Sequence, residues 1–139
     1  MKKLILLLFI SLVSFGQTGM ARQSGQTAKE YFESGREKYK NEDYYGAIAD
    51  YTKAIEIDPN YDYAYASRGD AKGELEDYYG AIADYTKAIE IDPNYAYAYA
   101  FRGVAKEGLG DLNGACADWK EAAKLGYDEA VKWVSDQCN

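Results

Sequence analysis

Histidine is absent from the 139 residues, and proline and cysteine occur twice each. Without histidine the chain lacks the imidazole that most often serves acid–base catalysis near neutral pH and binds metals. Its two cysteines, Cys116 and Cys138, form no CxxC pair, and neither a GxSxG turn nor a phosphate-cradling glycine loop occurs. These absences leave no metal site, no cofactor site and no catalytic constellation, so the chain reads as a non-enzyme. A hydrolase can be built from paired carboxylates alone. Here, however, Asp50, Glu56 and Asp58 recur as Asp84, Glu90 and Asp92, the expected pattern of copied, solvated helix faces and ends.

Positive charge and long apolar runs are also scarce. The apolar run is Leu4–Phe15, behind Met1-Lys2-Lys3, whereas a helix that crosses a bilayer needs about 20 apolar residues. The first reading of this segment is a secretory leader over residues 1–21, cut after Gly16 or Ala21, and the second is an uncleaved anchor. A cut leader makes the protein exported, periplasmic or secreted, with no stable membrane insertion afterwards. Removing Lys2 and Lys3 leaves 14 of the 16 basic residues against 23 acidic ones, a net charge of −9. Such a surface repels phosphate backbones and anionic lipid, which excludes nucleic acid as a partner. The acid excess fits solubility and electrostatic choice among protein partners.

What the chain does have is repetition. The block DYYGAIADYTKAIEIDPN at 43–60 returns unchanged at 77–94, and a looser copy, DLNGACADWKEAAKL, begins at Asp111, again 34 residues on. A period of this length means stacked supersecondary units. Tyr44, Ala47, Ile48, Tyr51, Ala54 and Ile55 are spaced three and four apart, one face of a helix that Asp43 caps and Pro59 ends, with Asn60 expected to cap the next. The stretch Tyr61–Tyr65 alternates like a strand. Its Ala-rich continuation without β-branched residues, and the helical character of the matching segment in the first copy, make it a helix.

Helix, tight turn, helix at this period resembles the tetratricopeptide repeat family. The resemblance rests on Tyr31, Gly35, Ala47, Tyr51, Ala54 and Pro59 in the first copy and on Tyr65, Gly69, Ala81, Tyr85, Ala88 and Pro93 in the second. The third has Tyr99, Gly103, Ala115, Trp119 and Ala122, with Tyr127 in place of the proline. It implies an all-α, right-handed solenoid of three antiparallel helical hairpins, at 27–60, 61–94 and 95–127, closed by a capping helix over 128–139. Gly35, Gly69 and Gly103 would let the paired helices approach closely. The cap would turn Ala130, Val131, Trp133 and Val134 onto the open end.

Family members present the inner face of their first helices as a groove for an extended peptide or a partner helix. By helical position that face consists of Lys29, Phe32, Arg36, Tyr39 and Lys40 in the first hairpin and Tyr63, Ala66, Asp70, Gly73 and Glu74 in the second. Tyr97, Ala100, Val104, Glu107 and Gly108 supply it in the third. The groove is expected to be basic and aromatic at one end, acidic and shallow at the other. Tyr63 and Tyr97 would form a ladder along it, serving recognition or packing between first helices. Some members grip a terminal carboxylate with groove asparagines, which this face lacks. Another protein is therefore the expected partner, with a small molecule or glycan on the tyrosines, or self-assembly by end-to-end stacking, as alternatives. Cys116 and Cys138 would meet where the last two helices run side by side; a disulfide is the first reading and two buried free thiols the second.

Overall fold

A computed structural model describes residues 25–139, and the expected leader lies outside them. Among the described residues seven helices follow one another: α1 (Ala28–Lys40), α2 (Tyr44–Ile57), α3 (Asp62–Glu74), α4 (Tyr78–Ile91), α5 (Ala96–Gly108), α6 (Leu112–Lys124) and α7 (Asp128–Gln137). No strand occurs among the described residues. The alternation at Tyr61–Tyr65 is helical from Asp62 onward, and Ala64, with Ala66 and Ala71 beyond it, is buried where α3 meets its neighbours. Each helix packs on the one before and the one after it, and α1 touches α3 as α3 touches α5. The first helices of successive hairpins therefore stand side by side, and the chain is a solenoid.

Local chemistry sets the helix ends. Thr27 and Glu30 form a reciprocal capping box at the start of α1. The carboxylates of Asp43, Asp77 and Asp111 accept from the backbone N–H groups of Gly46, Gly80 and Gly114, at 2.9, 3.0 and 2.8 Å. A Cβ on any of these three glycines would strike the cap carboxylate, so they serve the cap and not the helix seam. Asn60 does not cap α3. Tyr61 holds that place without a side-chain bond, and the Asn60 N–H donates to Asp58 Oδ1 at 3.1 Å, part of the turn around Pro59.

Small residues meet rings at each hairpin seam. A Cβ on Gly35 would lie 2.6 Å from the Tyr51 ring, on Gly69 3.1 Å from the Tyr85 ring, and on Gly103 2.5 Å from Trp119 Nε1. Between hairpins the buried set is mainly alanine, with Tyr51, Tyr85 and Trp119 as its large members. Helix α7 closes the array by laying Ala130, Trp133 and Val134 against the Trp119 cluster. A disulfide joins Cys116 on α6 to Cys138 after α7, 22 residues apart, a loop whose closure contributes about 3 kcal/mol on chain-entropy grounds.

Asp84 and its counterparts correct the expectation of solvated helix faces. Asp84 is 4 % exposed and accepts Arg68 Nε at 2.9 Å and Nη2 at 2.7 Å, with Lys72 Nζ at 2.8 Å. Asp118 receives Arg102 and Lys106 in the same way. In the first hairpin Asp50 takes Ser34 Oγ at 2.6 Å and Lys38 Nζ at 2.8 Å. Each arginine also reaches back to the preceding hairpin, Arg68 to Thr52 Oγ1 at 3.1 Å and Arg102 to Thr86 Oγ1 at 3.2 Å, tying neighbouring units together. Glu56 and Asp58 are exposed, as expected.

Candidate functional site

The inner side of α1, α3 and α5 carries two adjoining recesses. The first, about 240 Å3, is walled by Tyr39 of α1, by Asp70, Gly73 and Glu74 of α3, by Tyr78, Ala81 and Tyr85 of α4, and by Tyr97, Phe101 and Val104 of α5. The second, about 300 Å3, shares Tyr39 and Asp70 with it and adds Arg36, Lys40, Tyr51 and Ser67. A third hollow of about 450 Å3 lies beside the disulfide at Leu112, Lys120 and Gln137, away from this face.

Asp70 is the centre of the first recess. Its Oδ1 accepts the Tyr85 hydroxyl at 2.6 Å and its Oδ2 the Tyr97 hydroxyl at 2.9 Å. One turn on, Glu74 Oε1 accepts the Tyr39 hydroxyl at 3.2 Å. Burial pushes the Asp70 carboxyl from 3.8 up to about 6; the two tyrosine hydrogen bonds act against the rise and the Glu74 charge adds to it. Tyr85 and Tyr97 are held well above the ordinary phenol range, first by burial and then by the Asp70 charge, so both are hydroxyl donors at any physiological pH. Tyr51 is pushed up to about 12 by burial and the same carboxylate.

The expected groove residues divide into two sets. Arg36, Tyr39, Lys40, Asp70, Gly73, Glu74, Tyr97 and Val104 line the recesses. Arg36 also pairs with Glu33 at 3.1 Å, both side chains about half exposed. Lys29, Phe32, Tyr63 and Glu107 do not line them. Phe32 is turned against Tyr51 and Tyr61, at ring distances of 5.7 and 5.0 Å, while Lys29 and Glu107 stand in solvent. Ala66 and Ala100, placed on the same face by counting, are 1 % and 0 % exposed and belong to the contacts between helices. Gly108 lies against the Tyr78 ring.

Tyr63 and Tyr97 form no direct ladder. Tyr95, which is not among the positions counted on that face, stands between them, 5.4 Å from Tyr63 edge-on and 6.1 Å from Tyr97 in a stacked arrangement. The cause is local. Tyr95 is the residue before α5, with φ −77° and ψ 81°, and an unwound residue does not follow the 100° step of the helix. Counting along first helices also missed Tyr78 and Tyr85, which come from α4. The signal for Tyr85 was present: opposite a glycine, its ring slides past Gly69 far enough for the hydroxyl to reach the next residue, Asp70.

Known proteins share this architecture. The pattern described as TPR repeat matches residues 35–75 and 69–110. The first such domain of Spaghetti (RPAP3), solved with the HSP90 peptide SRMEEVD, is 27% identical, covering 80% of this chain and 90% of its own at a TM-score of 0.77. The TPR domain of Arabidopsis OM64 is 33% identical over 71% of this chain and 82% of its own, at a TM-score of 0.70. The TPR2B domain of yeast Sti1, in complex with pHsp70, is 30% identical over 73% of this chain and 81% of its own, with the same score. A comparison with curated proteins finds no match.

Proposed function

The chain belongs to the tetratricopeptide repeat family, and on that premise we propose that it is a non-catalytic adaptor that holds an extended peptide or helix of another protein along the inner side of α1, α3 and α5. The observation that carries this reading is the pair of recesses at that face, lined by partly exposed aromatic rings and a few polar groups on rigid helices. Rings of this kind give large contact area at small entropic cost. That related domains were solved with an HSP90 peptide and in complex with pHsp70 supports the same mode of action.

A small molecule or glycan on the tyrosines fits less well. The first recess is open along the groove and smaller than the roughly 300 Å3 at which enclosed small-ligand sites begin. The apolar leader and the disulfide support export to an oxidising compartment, periplasmic or extracellular, as the place where the adaptor works. Affinity purification from the native cell envelope tests the proposal. A partner captured by the wild-type protein is expected to be lost with Val104→Arg, which fills the first recess from an exposed position. Undiminished capture by a folded Val104→Arg variant contradicts the groove as the binding face.

A further inference from the structure

We propose that the aromatic recess between α3, α4 and α5 receives a cationic side chain, an arginine or lysine, of the bound partner segment. The inference rests on the groove reading above and names the chemistry that the groove selects.

The argument begins with charge left uncompensated. The other deeply placed acids of the chain are neutralised within the fold, Asp84 by Arg68 and Lys72 and Asp118 by Arg102 and Lys106. The largely enclosed Asp70 and the exposed Glu74 one turn on are different. Their recorded partners are tyrosine hydroxyls, and among the described residues no lysine or arginine forms an ion pair with either. Two carboxylates one helical turn apart repel each other, and the raised proton affinity of Asp70 is the mark of a buried acid without a counter-ion.

Shape points the same way. The Tyr85 and Tyr97 hydroxyls fix the Asp70 carboxylate in orientation, and each of its oxygens keeps a lone pair for a further donor. Around it Tyr39, Tyr78, Tyr97 and Phe101 supply apolar surface for an aliphatic stem and ring faces for the charge at its end. A volume of about 240 Å3 accommodates one long side chain reaching in from a segment lying in the groove. The peptide SRMEEVD, solved with the RPAP3 domain, carries three acidic side chains to one arginine; along a groove walled by Asp70 and Glu74 its acids would meet like charge.

Selection from a phage-displayed library of random peptides against the protein tests this, followed by 15N NMR titration with a recovered peptide, its Arg/Lys→Ala and Arg/Lys→Glu counterparts, and SRMEEVD. The expected result is enrichment of arginine or lysine at one peptide position and shifts at the amides of Gly73, Glu74 and Val104. Affinity should fall about tenfold for the alanine counterpart and for Glu74→Gln, as loss of a charge-assisted contact implies. The surface substitution Glu74→Lys should turn the preference toward the glutamate counterpart without unfolding the chain, and SRMEEVD, whose three acids outnumber its arginine, should bind the wild type more weakly than the recovered peptide. Peptides that shift these amides yet lack basic enrichment, or that bind Glu74→Lys unchanged, overturn the inference and leave the groove reading standing. Shifts confined to residues away from α1, α3 and α5 overturn both.

Discussion

At Gly103 and Gly73, two helical glycines, the same substitution has opposite expected outcomes. A Cβ on Gly103 would meet Trp119 Nε1 at 2.5 Å and the Ala115 carbonyl oxygen at 3.1 Å, and Trp119 is held in place by its own bond to the Ala100 oxygen. Gly103→Ala should lower stability by about 1–3 kcal/mol through overpacking. Gly73 has open space around its missing Cβ, and Gly73→Ala should raise stability by up to about 1 kcal/mol through helix propensity. Urea denaturation of the two variants checks the pair. Asp70 gives a second prediction at this scale. Its folded-state value, about 6, lies above the ordinary 3.8, so between those values the folded chain holds a proton that the unfolded chain has released. The destabilising charge is fully present above pH 6 and is lost as pH falls toward 4. The stability of Asp70→Asn relative to wild type should therefore be highest above pH 6 and decline through that window, as denaturation at a series of pH values will show. Seam glycines were legible in the sequence because they repeat with the period. The convergence of Tyr85 and Tyr97 on Asp70 was not, since they lie 15 and 27 residues away and meet it only across the stack.

For the helices, the sequence is clearest where one residue acts on its own backbone. Asp43, Asp77 and Asp111 start their helices and the two prolines end theirs, as spacing alone requires. It is least clear where a charged residue acts on another helix. Asp84 repeats Asp50 in sequence, yet it is buried beneath two cations while Asp50 keeps more solvent. The difference arises because the first hairpin has Ser34 where the others have Arg68 and Arg102. Asp84→Ala should cost about 3 kcal/mol by leaving Arg68 and Lys72 without a counter-charge, and Asp50→Ala markedly less, both measurable as shifts in denaturation midpoint. The arginine-to-threonine tie is edited out at both ends of the array, by Ser34 at the arginine position of the first hairpin and by Lys120 at the threonine position of the last. Those edits disfavour end-to-end stacking of copies by the contact that joins hairpins within one chain.

Taken whole, the molecule is a short stack of hairpins bearing a net charge of −7, with most of its buried acids neutralised internally and one aromatic, acidic recess open on its inner side. Architecture followed from the 34-residue period, because identical blocks bury identical faces. The groove was half legible: first-helix positions located Tyr39, Asp70, Glu74, Tyr97 and Val104, while the contribution of α4 and the intrusion of Tyr95 required packing that no helical count contains. Site-specific photo-crosslinking in the native cell tests the central claim most directly. A benzophenone side chain placed at Val104, inside the recess, is compared with one at Tyr79, 77 % exposed and lining neither groove recess. The account predicts a covalent adduct with a second protein from Val104 and none from Tyr79; an adduct formed from Tyr79 alone would contradict it.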